Sequence, residues 1–368
     1  MALDKDKVMS SLVDMRERYA GDETTQDHLL QMQFPRRYSP AKVANIPADD
    51  NVGSSGIDAL LMVIRRIICQ LPIEFRDAKS NEAIQQSEEA NPLLRVAMSD
   101  FQSTDKDIVN AARYFALKAF YSDGQLKDKD LSFVALSEHG LMQKTFWRRL
   151  EFLLCKPETV IRIDGIWDWH EFPDVVDMAQ LSLVTFEAGD LGQTVSDRFG
   201  FFSDEDDTQT GLMQGNKPAI IRVRYDVGSD DSKTYADLWR INVDMRQIYR
   251  TSDDGTRWRL TEEGARLTAY SLIAEVRLSQ SKDPKHKDTL RMYTIDGQAI
   301  PPHNNFPSHS DERLGVANRS YMLYYAFSPV KPEGGPPSEI PFKPDMRKDL
   351  AAQEAFGSPA SMPSRPTE

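Results

Sequence analysis

The chain has 368 residues, with 45 Lys and Arg against 57 Asp and Glu and a formal charge of −12. At 40% hydrophobic and 28% charged residues, it has the composition of a folded globular protein, long enough for one large domain or two ordinary ones. The acid excess argues against non-specific nucleic-acid binding, which needs a surplus of cations facing phosphate. No apolar run approaches the roughly 18 residues of a membrane span. Met1 to Tyr19 mixes charge throughout and lacks an apolar h-region, so no signal peptide is expected. The two cysteines, Cys69 and Cys155, cannot build a disulfide framework or a four-thiolate zinc site. They point to a reducing compartment, cytoplasmic or nuclear.

In chain order, Lys5 to Tyr19 carries a helical stripe of Val8, Met9, Leu12, Val13 and Tyr19, and residues 1–50 read as that helix followed by an extended arm with Pro35, Pro40 and Pro47. Ile57 to Leu71 is densely apolar and stops at Pro72, the pattern of a buried helix. Arg76 to Asp105 is polar enough to be expected mobile. Ile108 to Tyr121 and Lys144 to Leu154 predict further helices, with a weaker one over Leu131 to Glu138.

After Pro157 the texture changes. Thr159 to Ile163, Leu181 to Phe186, Ala219 to Tyr225, Leu238 to Val243, Tyr270 to Leu278, Thr289 to Ile295 and Tyr321 to Phe327 are short β-rich runs. Asp253-Asp254-Gly255 and Asp296-Gly297 mark turns. Trp167-Asp168-Trp169-His170 reads as a loop whose tryptophans pack onto the sheet, and Ser203 to Asp207 as a solvated acidic run. Nine of the 21 prolines fall in 328–368, a disordered Pro-rich tail with one possible short helix at Asp345 to Phe356. Helices first and a mainly antiparallel sheet afterwards make an α+β fold, with a helical part over 51–157 and a sheet part over 158–327.

Several segments, taken together, resemble the ubiquitin-specific proteases, papain-like cysteine peptidases that release ubiquitin. Asn51-Val52-Gly53-Ser54-Ser55-Gly56 followed by Ile57 to Leu61 is similar to the family's cysteine box, which opens a helix. Asn216 to Tyr225, Tyr270 to Arg277 and Ser320 to Tyr325 resemble three of its later strands and Asn242 to Tyr249 its Leu-Asp-Leu-x-x-Tyr stretch, in the family's order, with Leu181 to Phe202 resembling a strand and short helix ahead of them. The resemblance spans 51–327 and implies a papain-like fold.

The chemistry does not carry over. The resemblance puts the nucleophile at Gly56, which has no thiol, hydroxyl or amine. It puts the general base at Thr289, whose hydroxyl has no accessible deprotonated form near neutral pH. Asn51 matches the oxyanion position and Asp296 the orienting carboxylate, although these also read as a helix cap and a turn aspartate. His286, three residues before Thr289, could replace it after a register slip, yet Lys285 and Lys287 make it a solvated hairpin tip. Cys69 and Cys155, each at a helical stretch, are expected to be inert core thiols. His139, His170, His303 and His309 lack metal-ligand spacing, so no metal or cofactor is expected.

The resemblance therefore implies a pseudoenzyme that binds ubiquitin, a ubiquitin-like modifier or another protein partner, with neither nucleic acid nor membrane. An active cysteine-type deubiquitinase with a misplaced nucleophile and a structural scaffold that ignores ubiquitin are the alternatives.

Overall fold

The computed structural model describes residues 4–35, 54–77, 79, 81–122, 130–163, 166–171, 174–203, 210–229, 232–250, 258–262, 266–279, 288–301, 313–329 and 335–339. Nine helices precede the first strand among these residues: α1 (Lys5–Ser10), α2 (Met15–Arg18), α3 (Glu23–Met32), α4 (Ser54–Ile68), α5 (Glu82–Ala90), α6 (Pro92–Ala97), α7 (Lys106–Ser122), α8 (Phe133–Ser137) and α9 (Gly140–Met142). Then come β1 (Cys155–Ile163), β2 (Ile166–Glu171), α10 (Val175–Leu181), β3 (Leu183–Phe186), α11 (Leu191–Ser196), β4 (Gly200–Ser203), β5 (Thr210–Gly215) and β6 (Ile220–Asp226). The order closes with α12 (Tyr235–Leu238), β7 (Arg240–Asp244), β8 (Ile248–Arg250), β9 (Trp258–Leu260), β10 (Leu267–Arg277), β11 (Thr289–Met292) and β12 (Ser320–Phe327). The protein is α+β, helical first and mainly antiparallel sheet after.

The hub of the helical part is α4. Its apolar residues, from Ile57 through Ile68, are nearly all buried, each contributing roughly 1.5–3 kcal/mol by leaving water. Two arginines at its C-terminal end are buried too, and both donate to carbonyl groups, although Arg66 Nη1 has no hydrogen-bond partner among the described residues. Arg65 donates to Ala97 O, Gln33 O at 2.7 Å and Ser99 O, with its guanidinium 3.8 Å from the Phe101 ring centroid. Arg66 donates twice to Tyr293 O, at 3.0 and 2.7 Å, pinning α4 to the residue after β11. A buried Asp58–Arg113 ion pair ties α4 to α7.

The larger sheet runs β11-β10-β12-β6-β3, with β7 also pairing β10, and only the β3–β6 pair is parallel. A second antiparallel sheet runs β2-β1-β5-β4, and β8–β9 forms a separate ribbon. The larger sheet is buried on both faces. Along β12, Met322, Tyr324 and Ala326 enter the core shared with α4, whereas Tyr321, Leu323 and Tyr325 enter a second core with α11, α12 and β7. Period-two alternation thus feeds two cores from one strand. In β10 a register shift between Leu272 and Ala274 lets both Ile273 and Ala274 face the helices.

Several local expectations need correction. The stretch 76–105, expected mobile, holds α5 and α6, each started by an asparagine cap: Asn81 accepts from Ala83 N and Ile84 N, and Asn91 from Leu93 N. It read as mobile because α5 is polar, but its buried Glu88 is ion-paired to Arg16 at 2.7 Å. The stripe at 5–19 is broken into α1 and α2, because Asp14 caps a new helix by accepting from Arg16 N. The polar run before Pro35 contains α3, capped by Asp22. Lys144 to Leu154 is a π turn (Gln143–Trp147) and a 3-10 turn (Leu150–Phe152) instead of one helix. Trp167 to His170, expected as a loop, lies in β2 and pairs in register with Thr159 to Arg162 of β1. The residues 36–53 and 340–368, with the expected arm and tail helix, lie outside the described residues, as does the acidic run after Ser203.

Candidate functional site

Gly56 lies in the first turn of α4 and is buried. The chain at Leu131 to Phe133, which leads into α8, crosses directly over it. A β-carbon at position 56 would stand 2.7 Å from Phe133 N and 2.8 Å from Ser132 C, and closer still to Leu131 O. All three are backbone atoms and cannot swing aside, so this crossing requires glycine. Ser132 itself caps α8, its Oγ accepting from Ala135 N at 3.4 Å.

The same segment reaches across to the start of β11. Phe133 N donates to Asp288 Oδ2 at 2.8 Å, and Ser279 N donates to Asp288 Oδ1, also at 2.8 Å. Asp288 is buried, and burial raises its carboxyl above the ordinary range while the two amide hydrogen bonds pull it back. The next residue, Thr289, is buried and pairs with Arg277 of β10. The structure therefore brings Gly56 and Thr289 to opposite ends of one short connection, Gly56 to 131–133 to Asp288–Thr289. Backbone occupies the space that a side chain at position 56 would need.

The remaining candidates are not gathered there. Asp296 is exposed in a turn closed by Gly297 N donating to Thr294 O at 2.9 Å. Gly297 follows with φ +83°, against the Trp239 and Tyr235 side chains, so Asp296 serves the turn. Asn51, His286, His303 and His309 lie outside the described residues. His139 is buried as the cap of α9, its Nδ1 accepting from Leu141 N at 3.1 Å beside the Phe120 ring. His170 sits in β2 opposite Thr159.

Neither thiol is primed. Cys69 is buried beyond the end of α4, its Sγ 3.8 Å from Asp27 O, and burial pushes its thiol up to about 12. Cys155 opens β1 instead of ending a helix and is only half-buried at the residue level. Desolvation nevertheless pushes its thiol up to about 12 as well, with Arg198 opposing weakly. Among the described residues no group of three or more His, Cys, Asp or Glu is arranged to hold a metal ion, and no helix is long and apolar enough to cross a membrane.

One polar cluster was missed from the sequence. Glu275 of β10 and Arg291 of β11 are register partners, joined at 3.3 Å, and Tyr293 Oη donates to Glu275 Oε2 at 3.0 Å. Arg291 also pairs with Glu339, which accepts from Leu314 N at 2.6 Å. This docks the segment 335–339 back onto the sheet. Burial, the largest effect, pushes the Glu275 carboxyl up to about 7 against the pull of Arg291. The available signal was a single acid and a single base interrupting two adjacent apolar strands.

No family model matches the chain, and no curated protein matches it. Similar solved structures are modules of Saccharomyces cerevisiae Pan2. The pseudoubiquitin hydrolase–RNA exonuclease module in complex with AAUUAA RNA is 11% identical, with 80% of this chain and 57% of that chain covered and a TM-score of 0.35. The pseudoubiquitin hydrolase by itself is 11% identical, with 84% and 91% covered and a TM-score of 0.33. The module in complex with A7 RNA is 11% identical, with 83% and 62% covered and a TM-score of 0.34. All are pseudoubiquitin hydrolases by description. The present chain spans little more than half the length of the first.

Proposed function

We propose that this chain is a catalytically silent relative of the ubiquitin-specific proteases that acts by binding a protein, with ubiquitin or a ubiquitin-like modifier as the first candidate. The observation that carries the reading is the crossing of 131–133 over Gly56. It leaves no room for a side chain at the position where covalent chemistry would begin. Thr289, at the position of the base, is buried in a strand pair and cannot accept a proton near neutral pH. The two thiols present are held protonated by burial. A net charge of −12 favours a basic protein face over a phosphate backbone as the complement. The reading goes with a cytoplasmic or nuclear location.

Two measurements on the full chain test this. Incubation with ubiquitin carrying a C-terminal thiol-reactive electrophile should give no covalent adduct, and an adduct would overturn the loss of chemistry. Calorimetric titration with ubiquitin and a panel of ubiquitin-like modifiers should reveal a saturable complex with at least one. Flat titrations across the panel would overturn the binding role.

A further inference from the structure

Between α4, α5, α6 and the segment 145–151 lies a crevice of about 300 Å³ that opens to solvent. Its floor is apolar, made by Ile64, Ile68, Phe75, Leu94, Met98 and Phe146. Four arginines and two glutamates complete the wall, and the pairing among them is uneven. Arg16 is held by Asp14 at 2.6 Å and Glu88 at 2.7 Å, Arg76 by Asp27, and Arg149 by Glu151 at 2.8 Å. Both lining glutamates are thereby committed to a guanidinium. Arg148 is exposed, and among the described residues it has no carboxylate beside it. Asn81, Ser87 and Thr145 also line the crevice, and a largely apolar cavity with a few polar groups to fix orientation is the usual build of a small-molecule site.

We propose that this crevice binds a small amphipathic anion, an aliphatic body on the apolar floor with its carboxylate on Arg148. The volume of about 300 Å³ is at the small end of ligand pockets, which suits a short-chain ligand. The charges set the head group. A guanidinium left without a carboxylate in a chain of net −12 selects an anion, and Glu88 and Glu151, already paired to Arg16 and Arg149, do not compete for Arg148. The floor selects against sugars and other ligands that would bury unpaired hydroxyls there.

Octanoate, a short-chain aliphatic carboxylate, is the probe. Titrated below its micelle concentration into the full chain, it should bind saturably and shift the amide resonances of Ile84, Phe146 and Arg148. Octan-1-ol and the Arg148→Ala variant should each bind about tenfold more weakly or worse, and Arg148→Lys should recover part of the loss. Ala83→Trp, placed on the exposed wall of α5, should fill the crevice and abolish binding while keeping the unfolding midpoint. Absence of octanoate binding would overturn the proposal. So would equal affinity for octan-1-ol or in Arg148→Ala, or binding that survives Ala83→Trp.

Discussion

The amide of Phe133 donates to the Asp288 carboxylate at 2.8 Å, joining two residues 155 positions apart. The bond fixes the segment that lies on Gly56 to the entry of β11, and Asp288 holds Ser279 N with its other oxygen. Asp288→Ala strips the acceptor from two amides in a buried setting. The expected cost is on the order of 3 kcal/mol, read as a lower denaturation midpoint with an unchanged m-value. Amide exchange should accelerate first at Phe133 and Ser279.

A thiol placed at position 56 should not create a peptidase. Gly56→Cys, and even Gly56→Ala, places a β-carbon into three backbone atoms of 131–133, and overpacking of this kind costs about 1–3 kcal/mol or more. The Gly56→Cys protein should be measurably less stable than wild type in chemical denaturation. It should form no adduct with a ubiquitin electrophile. Adduct formation at wild-type stability would show that the segment yields.

The native thiols give an independent readout. With both pushed up to about 12, the thiolate fraction at pH 7.5 is negligible. Iodoacetamide should leave Cys69 and Cys155 unmodified in the folded protein for hours and label both in denaturant, counted by intact mass.

Stability should fall as pH rises through the Glu275 transition. Folded, this carboxyl keeps its proton up to about pH 7; unfolded, it releases it near the ordinary 4.5. Between those values the folded state binds more protons, so the contribution is full below the lower value and lost on passing the upper. Glu275→Gln should therefore lose less stability than wild type between pH 5 and pH 8, with a difference on the order of 1–3 kcal/mol. Parallel curves for the two proteins would remove Glu275 as the source.

Seven of the twelve described strands were legible because apolar runs bounded by turn residues are a local signal: each expected run overlaps a strand of the sheets, although Leu181 and Leu238 close α10 and α12. α4 was legible for the same reason, whereas the roles given to Gly56 and Thr289 rest on the resemblance alone. What was hidden depends on distant partners. α5 is polar along most of its length, and its buried Glu88 makes sense only beside Arg16, 72 residues earlier. Trp167 to His170 is a strand because β1 lies alongside it. The crossing over Gly56 joins 56, 131–133 and 288, and no window of sequence contains all three. Nor could spacing reveal that Glu339, in a stretch read as a disordered tail, reaches back to Arg291.

The position of β12 has a consequence for synthesis. This last strand pairs β10 on one side and β6 on the other, so a chain still attached to the ribosome before Ser320 emerges has two unjoined sheet edges and both cores open along Met322 to Ala326. The larger sheet closes only once the residues through Phe327 have emerged. A nascent chain stalled at residue 319 should be protease-sensitive, and one stalled well past 339 resistant. Any shortened version ending ahead of Phe327 inherits that unfinished seam.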